Sequence, residues 1–230
     1  MFQIKDEAER ATVYLYGTIG RDFWDAESEN TAKAFSKTLD ELSPKPLDIR
    51  IDSCGGDVYE GFGIASAIQR YEGETTAYVD GVAASAASYV AVMADKVVMT
   101  EYSQIMIHDA WTYACGNASD LLIAAERLEA TDATIAGIIA ARSGMGVEDV
   151  MAAMDAETWY DAQAALDAGL ADEVVATEQR TAASIDREIM ARFRHVPDAL
   201  LKSHAADTMQ NDEGGRLLVL GNKVYRTKER

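Results

Sequence analysis

The feature that most constrains the fold is a short unit in which a strand passes through glycines into a helix. Leu47 to Asp52 alternates apolar and polar residues as a strand does, and it runs directly into Cys54-Gly55-Gly56. The segment from Val58 to Tyr71 then carries apolar residues at helical spacing. Such a junction offers backbone N–H groups at a helix start beside flexible glycines, which is what an oxyanion hole requires.

The same unit follows a second time. Thr75 to Val79 predicts a strand, Asp80-Gly81 predicts a turn, and Ala84 to Ala94 predicts an alanine-rich helix whose small side chains allow close packing. Strands that alternate with helices in this way predict an α/β domain.

The rest of residues 1–176 continues the alternation. Strands are predicted at Thr12 to Gly17, Lys96 to Thr100, Gln104 to Ile107, Thr158 to Tyr160 and Asp172 to Val175. Helices are predicted from Ser28 onward and at Asn117 to Arg142, Val147 to Met154 and Ala162 to Ala168. A helix as long as the one from Asn117 commonly projects from its domain or contacts another subunit.

The acidic composition restricts the partners. The chain has 39 Asp and Glu against 21 Lys and Arg, which gives a formal net charge of -18. This charge opposes binding to nucleic acid phosphates and to anionic membrane surfaces. We therefore expect no nucleic acid and no membrane as partners, and we favour proteins or peptides.

The charge balance changes near Thr177. Residues 180–230 hold 10 Lys and Arg against 7 Asp and Glu, whereas the residues before them hold 11 against 32. We therefore expect a first domain at 1–176 and a small C-terminal extension at 177–230 that is partly helical or disordered. Two short helices and a hairpin around Gly221-Asn222 are predicted within it, at Ile185 to Phe193, Asp198 to Ala205 and Leu217 to Tyr225.

The sequence gives no sign of a targeting segment or a cofactor site. Met1 is not followed by a charged and then an apolar region, and no apolar run approaches the roughly 20 residues that cross a bilayer. This predicts a cytoplasmic protein. Cys54 and Cys115 are expected to be reduced thiols. Without a glycine-rich phosphate loop, the chain is expected to need neither nucleotide nor metal.

His108 is a candidate for a reactive group. It is the only histidine in the first 194 residues, and it ends the apolar strand QIMIH. Strand ends are where α/β proteins place reactive groups. A single histidine on an apolar strand is also commonly a core residue with satisfied hydrogen bonds, so the pattern leaves both roles open.

Ser85 is the matching candidate for a nucleophile. It lies at the predicted start of the second helix, among the small side chains of GVAASAAS, which would let a peptide backbone approach. A serine hydroxyl reacts only when a base takes its proton, so His108 would have to lie within roughly 3 Å. A serine at a helix start is also a common N-cap, and the motif alone leaves both roles open.

Several segments resemble the proteolytic subunits of the Clp protease family. IDSCGGDVYEG is similar to their Asn-Ser-Pro-Gly-Gly segment, GVAASAAS to their Gly-x-Ala-Ala-Ser nucleophile motif and SQIMIHDA to their Met-Ile-His motif, in the same order. YLYGTIG and WYDAQAALDAGLADEV extend the resemblance over roughly residues 11–176. The resemblance implies the α/β fold shared by Clp proteases and crotonases, a repeated β-β-α superhelix with a projecting long helix.

The resemblance also implies a serine endopeptidase and assigns its residues. Ser85 would be the nucleophile, His108 the general base, and the backbone N–H groups of Gly56 and Ala86 the oxyanion hole. The family's acidic residue precedes an aromatic-containing strand, here within Asp155-Ala156-Glu157-Thr158-Trp159. Counting back from the shared Gly-Leu-x-Asp ending favours Glu157, whereas residue type favours Asp155.

One position departs from the family pattern. Cys54 stands where the family usually has proline, which places a thiol beside the expected oxyanion hole. Cys54 with His108 is therefore an alternative nucleophile and base. We favour a bystander role, because Cys54 precedes the glycines at a strand end and lacks the helix N-terminal position that lowers a thiol pKa.

The chain resembles phage and prophage members of the family more closely than housekeeping ones, in YGTIG, the Gly-Gly-Asp turn and the Glu-Thr-Trp stretch. Those members act in head maturation. The resemblance thus implies a homo-oligomeric ring that cleaves phage capsid or scaffold proteins, with residues 177–230 as a tail that targets the protein or is itself processed.

Three alternatives stay open. The chain could be a housekeeping proteolytic subunit that works with an AAA+ ATPase, or a catalytically silent ring-forming assembly protein. It could also belong to the crotonase group, which binds coenzyme A thioesters on the same architecture but typically lacks a paired serine and histidine at these places.

Overall fold

A computed structural model describes residues 3–21, 29–42, 44–176, 192–197 and 200, together with two strands at 217–220 and 223–226. The chain divides into two compact units, Met1–His195 and Val196–Arg230. The first unit is a mixed α/β structure, which confirms the predicted fold class.

The described part of the first unit contains ten strands and six helices. The strands are β1 (Gln3–Asp6), β2 (Ala11–Tyr16), β3 (Gly20–Arg21), β4 (Glu29–Asn30), β5 (Leu47–Ser53), β6 (Thr75–Ala84), β7 (Lys96–Thr100), β8 (Gln104–Ile107), β9 (Thr158–Asp161) and β10 (Glu173–Val175). The helices are α1 (Ala32–Glu41), α2 (Val58–Arg70), α3 (Ala86–Ala91), α4 (Ala118–Ser143), α5 (Val147–Asp155) and α6 (Ala162–Asp167).

Eight of these strands form one main sheet with the order β1-β2-β5-β6-β7-β10, which β8 joins by pairing with both β6 and β9. The strands β3 and β4 pair with each other in a separate two-stranded sheet. The pairs from β2 through β10 along that order are parallel, while β1–β2 and β8–β9 are antiparallel. Because β5, β6 and β8 run parallel, their carboxyl ends lie at the same edge of the sheet. The two glycine junctions and His108 are therefore brought to one edge.

The turn predicted at Asp80-Gly81 is wrong, because β6 continues through these residues to Ala84. The register with β5 shows the reason. Ile51 pairs with Val79 and Ser53 with Ala83, so β6 has two more residues than β5 over this stretch and forms a bulge. The bulge also separates the half of β6 that pairs with β7 from the half that pairs with β8. Glycine in a strand often marks such an irregularity.

The core lies between the sheet and its helices. Phe35 of α1 and Ile64 of α2 are fully buried, as are Ile49 and Ile51 on β5. The helix predicted from Ser28 begins at Ala32, after an N-cap at Thr31 whose side chain accepts a hydrogen bond from the Ala34 N–H.

The long helix α4 has the predicted start and end. The Asn117 side chain accepts from the Ser119 and Asp120 N–H groups, Asp120 completes a capping box, and Gly144 ends the helix with a φ of 76°. Its 26 residues span about 39 Å. Only the carboxyl half, through residues such as Ile135 and Ile139, is buried in the protomer. The amino half projects with exposed apolar side chains at Leu121, Leu122 and Ile123.

The described part of the second unit contains two antiparallel strands, β11 (Leu217–Leu220) and β12 (Lys223–Arg226), which confirms the predicted hairpin. The predicted helix at 185–193 lies outside the described residues except for Arg192 and Phe193, which are not helical. The predicted helix at 198–205 lies outside them except for Leu200. None of the helices that the structure describes has the length and apolar character needed to span a bilayer.

Candidate active site

Ser85 occupies the sharp junction between β6 and α3. Its backbone has a φ of 54° and a ψ of −124°, a region that non-glycine residues rarely adopt. The Ser85 N–H donates to the Met106 carbonyl over 2.9 Å, and the Ser85 carbonyl accepts from the Ser88 N–H and hydroxyl over 2.9 and 2.6 Å. These bonds hold the strained conformation, which presents the hydroxyl outward from the junction.

His108 reaches Ser85 because β6 and β8 are neighbours in parallel. Ala84 pairs with Met106, so Ser85 and His108 both lie just beyond the ends of paired strands. His108 Nε2 lies 2.7 Å from Ser85 Oγ, within the distance that the sequence analysis required. The Ser85 side chain makes no capping bond to α3, so its hydroxyl is directed to the imidazole and not to the helix.

The first glycine junction packs directly against this serine. Gly55 has a φ of 90°, and a Cβ on it would lie 2.7 Å from Ser85 Cβ and 2.8 Å from the Ala86 nitrogen. Gly56 has a φ of 150°, and a Cβ there would lie 2.0 Å from the Ile19 carbonyl oxygen. Both contacts are shorter than any side chain could tolerate, so glycine is required at both positions.

Two backbone N–H groups are available beside the serine. The Ile19 N–H donates to the Gly55 carbonyl and the Asp57 N–H donates to the Ile19 carbonyl, so the intervening Gly56 N–H points away from Ile19. Ala86 is the first residue of α3, and its N–H has no partner within the helix. These are the groups that the sequence analysis named.

An open cleft of about 1000 Å³ runs past the Ser85 hydroxyl. Its lining combines the glycine junction with aromatic and basic side chains, including Gly56, Tyr59, His108, Trp111, Arg127 and Phe193. Cys54 also lines the cleft, but it is buried. No disulfide joins it to Cys115, which is exposed.

The two candidate carboxylates have different environments. Asp155 is exposed at the end of α5, whereas Glu157 is 5% exposed and has a φ of 51°. Glu157 lies with His108 around a second, smaller cavity. Its carboxylate accepts the Arg194 N–H at Oε2 and the His195 N–H at Oε1, each over 2.7 Å.

The electrostatics couple Glu157 with His108. Burial lowers the pKa of His108, the Glu157 carboxylate opposes that shift, and the Arg194 guanidinium adds to it, so the pKa lies below its ordinary value. Burial alone would raise the pKa of Glu157, but the N–H bonds from Arg194 and His195 outweigh it and keep the carboxylate ionised.

A short segment beyond the boundary expected near Thr177 completes the surroundings of His108. The Phe193 ring lies edge to face against the His108 ring, with centroids 5.3 Å apart, and also against Trp159 at 5.8 Å. The Arg194 guanidinium donates to the Asp155 carbonyl over 3.0 Å.

Comparison with known proteins gives a consistent result. The model of the family described as Clp protease matches residues 19–178. An ATP-dependent Clp protease proteolytic subunit of Bacteroides fragilis is 35% identical over 154 residues, which are 66% of this chain and 74% of that protein. The chain belongs to the Clp protease family.

Two further members of the Clp protease family match at slightly lower identity. The subunit of Porphyromonas gingivalis is 33% identical over 66% of this chain and 69% of its own length. The second proteolytic subunit of Rhodococcus jostii is 32% identical over 57% of this chain and 68% of its own length. Proteolytic subunits of the family are serine peptidases, so the chain is placed among the hydrolases.

The match to the Clp protease family ends before the segment that contacts Glu157. Ser85, His108, Gly56, Ala86 and both carboxylates lie within residues 19–178, whereas residues 192–195 lie beyond them.

Two features of the site were missed by sequence reasoning. Residues 192–195 carry no motif, and their only signal is a run of basic and aromatic side chains. The second is Asp132 on α4, whose carboxylate accepts the Ala110 N–H over 2.6 Å and so anchors the chain just after His108. An acidic residue on a long helix gives no sequence sign of such a contact.

Proposed function

We propose that the chain hydrolyses peptide bonds with Ser85 as nucleophile and His108 as general base. The observation that carries this proposal is the 2.7 Å contact between Ser85 Oγ and His108 Nε2 at the wall of an open cleft. Nucleophile and base within hydrogen-bond reach are the signature of an activated serine.

The proposed reaction follows from the positions of these groups. His108 Nε2 takes the Ser85 proton as Oγ attacks the peptide carbonyl carbon. The developing oxyanion accepts bonds from the Gly56 and Ala86 N–H groups, which lie beside Ser85. The imidazolium then gives its proton to the leaving amine, and an acyl-serine forms. Water, deprotonated by the same imidazole, attacks this ester and releases the acid.

For the third member of the triad, we propose Glu157 and not Asp155. Glu157 is buried next to His108 and is held ionised, so it can stabilise the imidazolium that forms during the reaction. Asp155 is exposed, and among the described residues it contacts the site through its backbone carbonyl. An exposed carboxylate is screened by solvent and gives little stabilisation.

For the biological role, we propose head maturation in a phage or prophage, in which a cytoplasmic homo-oligomeric ring cleaves capsid or scaffold proteins. The motifs YGTIG, Gly-Gly-Asp and Glu-Thr-Trp support it. The exposed apolar residues on the projecting half of α4 offer a surface for a neighbouring subunit. Residues 177–230 would then be the tail that targets the protein or is itself processed.

A second role has its own support. The relatives are named ATP-dependent Clp protease proteolytic subunits, so a housekeeping subunit that works with an AAA+ ATPase fits equally well. The two roles differ in substrate. A maturation protease would cleave a purified capsid or scaffold protein without ATP, whereas a housekeeping subunit would degrade folded proteins only with an ATPase and ATP.

The chemistry is tested by labelling with a fluorophosphonate, which reacts with activated serines. We expect an adduct on Ser85, located by peptide mass spectrometry, that is lost in Ser85→Ala and His108→Ala. Cys54→Ser is the matched control and should keep the adduct, because the thiol has no part in the proposed reaction. An adduct that depends on Cys54, or none in a verified oligomer, would contradict the proposal.

A further inference from the structure

We propose that residues 192–195, here named the strap, are an autoinhibitory segment that holds the catalytic groups in a resting state until it is displaced. The inference rests on the proposed function of Ser85, His108 and Glu157. It is carried by contacts that the strap makes with the carboxylate, the imidazole and the cleft.

The strap binds the carboxylate through its backbone. The Arg194 and His195 N–H groups donate to the two oxygens of Glu157, each over 2.7 Å, and the Arg194 Nε lies 3.8 Å from Oε2. The Trp159 indole N–H donates to Oε1 over a longer 3.4 Å, so the two shortest bonds to the carboxylate come from the strap. These bonds keep the carboxylate ionised, but none of the hydrogen bonds that it accepts from the described residues comes from His108, so its two oxygens are held by the strap and not by a direct bond to the imidazole.

The strap also disfavours the charged form of His108. The Phe193 ring lies edge to face against the imidazole and makes a contact of the same kind with the Trp159 ring. Burial and the Arg194 charge both lower the pKa of His108, against the effect of Glu157. Because proton transfer from Ser85 creates an imidazolium, these contacts raise the barrier to that step.

The third set of contacts lies in the cleft. The Arg192 guanidinium lies over the Trp111 ring, 5.0 Å from its centroid, and both Arg192 and Phe193 line the cleft beside Ser85. A peptide in the cleft would compete with these side chains for the same surface.

The side-chain contacts of the strap are weak enough to be replaced by those of another partner. Arg192, Arg194 and His195 are exposed, and the Arg194 side chain keeps 65% of its accessible area. Contacts between exposed cations and their partners are individually weak. Displacement of the strap would uncover His108 and remove the Arg194 charge, leaving Glu157 to act on the imidazole alone.

The test uses the full chain with the double substitution Phe193→Ala and Arg194→Ala. The second-order rate of fluorophosphonate labelling at Ser85 should rise about tenfold, the factor expected when 1.4 kcal/mol of barrier is relieved. Arg70→Ala is the matched control, because Arg70 is exposed at the end of α2 and its side chain donates to Ser66. Its labelling rate should equal that of the wild type. The single variants Phe193→Leu and Arg194→Ala give smaller changes that remain readable if the double variant unfolds.

The opposite result would overturn the proposal. If the strap instead positions Glu157 for catalysis, the double variant labels more slowly than the wild type. If the labelling rate is unchanged and the adduct still requires Ser85, autoinhibition by the strap is excluded. The proposal that Ser85 is the nucleophile would stand in that case.

A second readout needs no catalysis. The pKa of His108, followed by NMR of the labelled imidazole, should rise in the double variant, since less burial and the loss of the Arg194 cation both favour the charged form. An unchanged pKa would exclude the strap's influence on the base. If neither protein were labelled at all, the proposed function would fail, and the titration would still decide whether the strap acts on His108.

Discussion

Gly55→Ala tests whether the packing of the two glycine junctions sets the position of the nucleophile. The new Cβ would lie 2.7 Å from Ser85 Cβ, 2.7 Å from the Ala84 carbonyl oxygen and 2.8 Å from the Ala86 nitrogen. The atoms it meets are backbone or directly attached to it, so they cannot rotate away. To restore contact at 3.4 Å, the junction at Ser85 has to move by about 0.7 Å.

Two costs add at this position. A residue with a side chain held at a φ of 90° is strained by about 1–3 kcal/mol. Overpacking a tight site typically costs about 1–3 kcal/mol more. We therefore expect the free energy of unfolding to fall by about 2–6 kcal/mol. A shift approaching 1 Å at a reacting atom can reduce rate about 10²-fold, so labelling of Ser85 should fall by one to two orders of magnitude.

The assay compares urea unfolding and the rate of fluorophosphonate labelling in three proteins. Gly137→Ala is the matched control, because a Cβ on Gly137 in α4 would meet nothing within 4 Å. Alanine there should stabilise the helix by about 0.5–1 kcal/mol and leave labelling unchanged. If Gly55→Ala unfolds within 0.5 kcal/mol of the wild type and labels at the same rate, the argument from the close contact is refuted.

Three further predictions concern the carboxylates, the base and the long helix. Glu157→Gln should lower the labelling rate by up to about 10⁴-fold, which is the cost of losing the acid in a well-studied serine protease. Asp155→Asn should keep the rate within a few-fold of the wild type, and equal effects of the two substitutions would reject the assignment of Glu157. The labelling rate should rise with pH through the pKa of His108, because only neutral imidazole accepts the proton. Since that pKa is lowered, the midpoint should lie below 6.5, and a midpoint above 6.5 would contradict the described surroundings. Asn117→Ala should reduce the free energy of unfolding by about 1 kcal/mol through loss of the α4 cap, with Ser119→Ala as the control in urea melts.

Local patterns were sufficient for the elements that carry the site. The alternation in β5 and the apolar run of β8 predicted strands, and the glycines and small residues predicted the two junctions. These signals arise from neighbours in the chain, because periodicity and backbone freedom are local properties. The contact between Ser85 and His108 depended further on β6 and β8 being adjacent, which the sequence alone did not fix.

Interactions between distant parts of the chain could not be read in this way. Gly81 does mark an irregularity in the backbone, but glycine is common both in turns and in bulges. The pairing of β6 with three strands shows that the irregularity is a bulge. The strap contacts Glu157 from 37 and 38 residues away through backbone N–H groups, which every residue type except proline carries. No side-chain pattern could have revealed those bonds.

The backbone at Glu157 gives an independent reason to rank it above Asp155. Among the described residues, only Ser85 and Glu157 have a positive φ without being glycine. Glu157 follows the end of α5, a position where glycine is usual because a left-handed conformation is needed there. A glutamate at that position costs about 1–3 kcal/mol of backbone strain, and such strain persists where the surrounding structure over-determines it. Asp155, in contrast, lies in ordinary helical backbone at the end of α5. Its exposed carboxylate is placed there without any backbone strain that the surrounding structure would have to offset. The two strained positions thus coincide with the proposed nucleophile, which lies 2.7 Å from the His108 imidazole, and with the buried carboxylate whose charge acts on that imidazole.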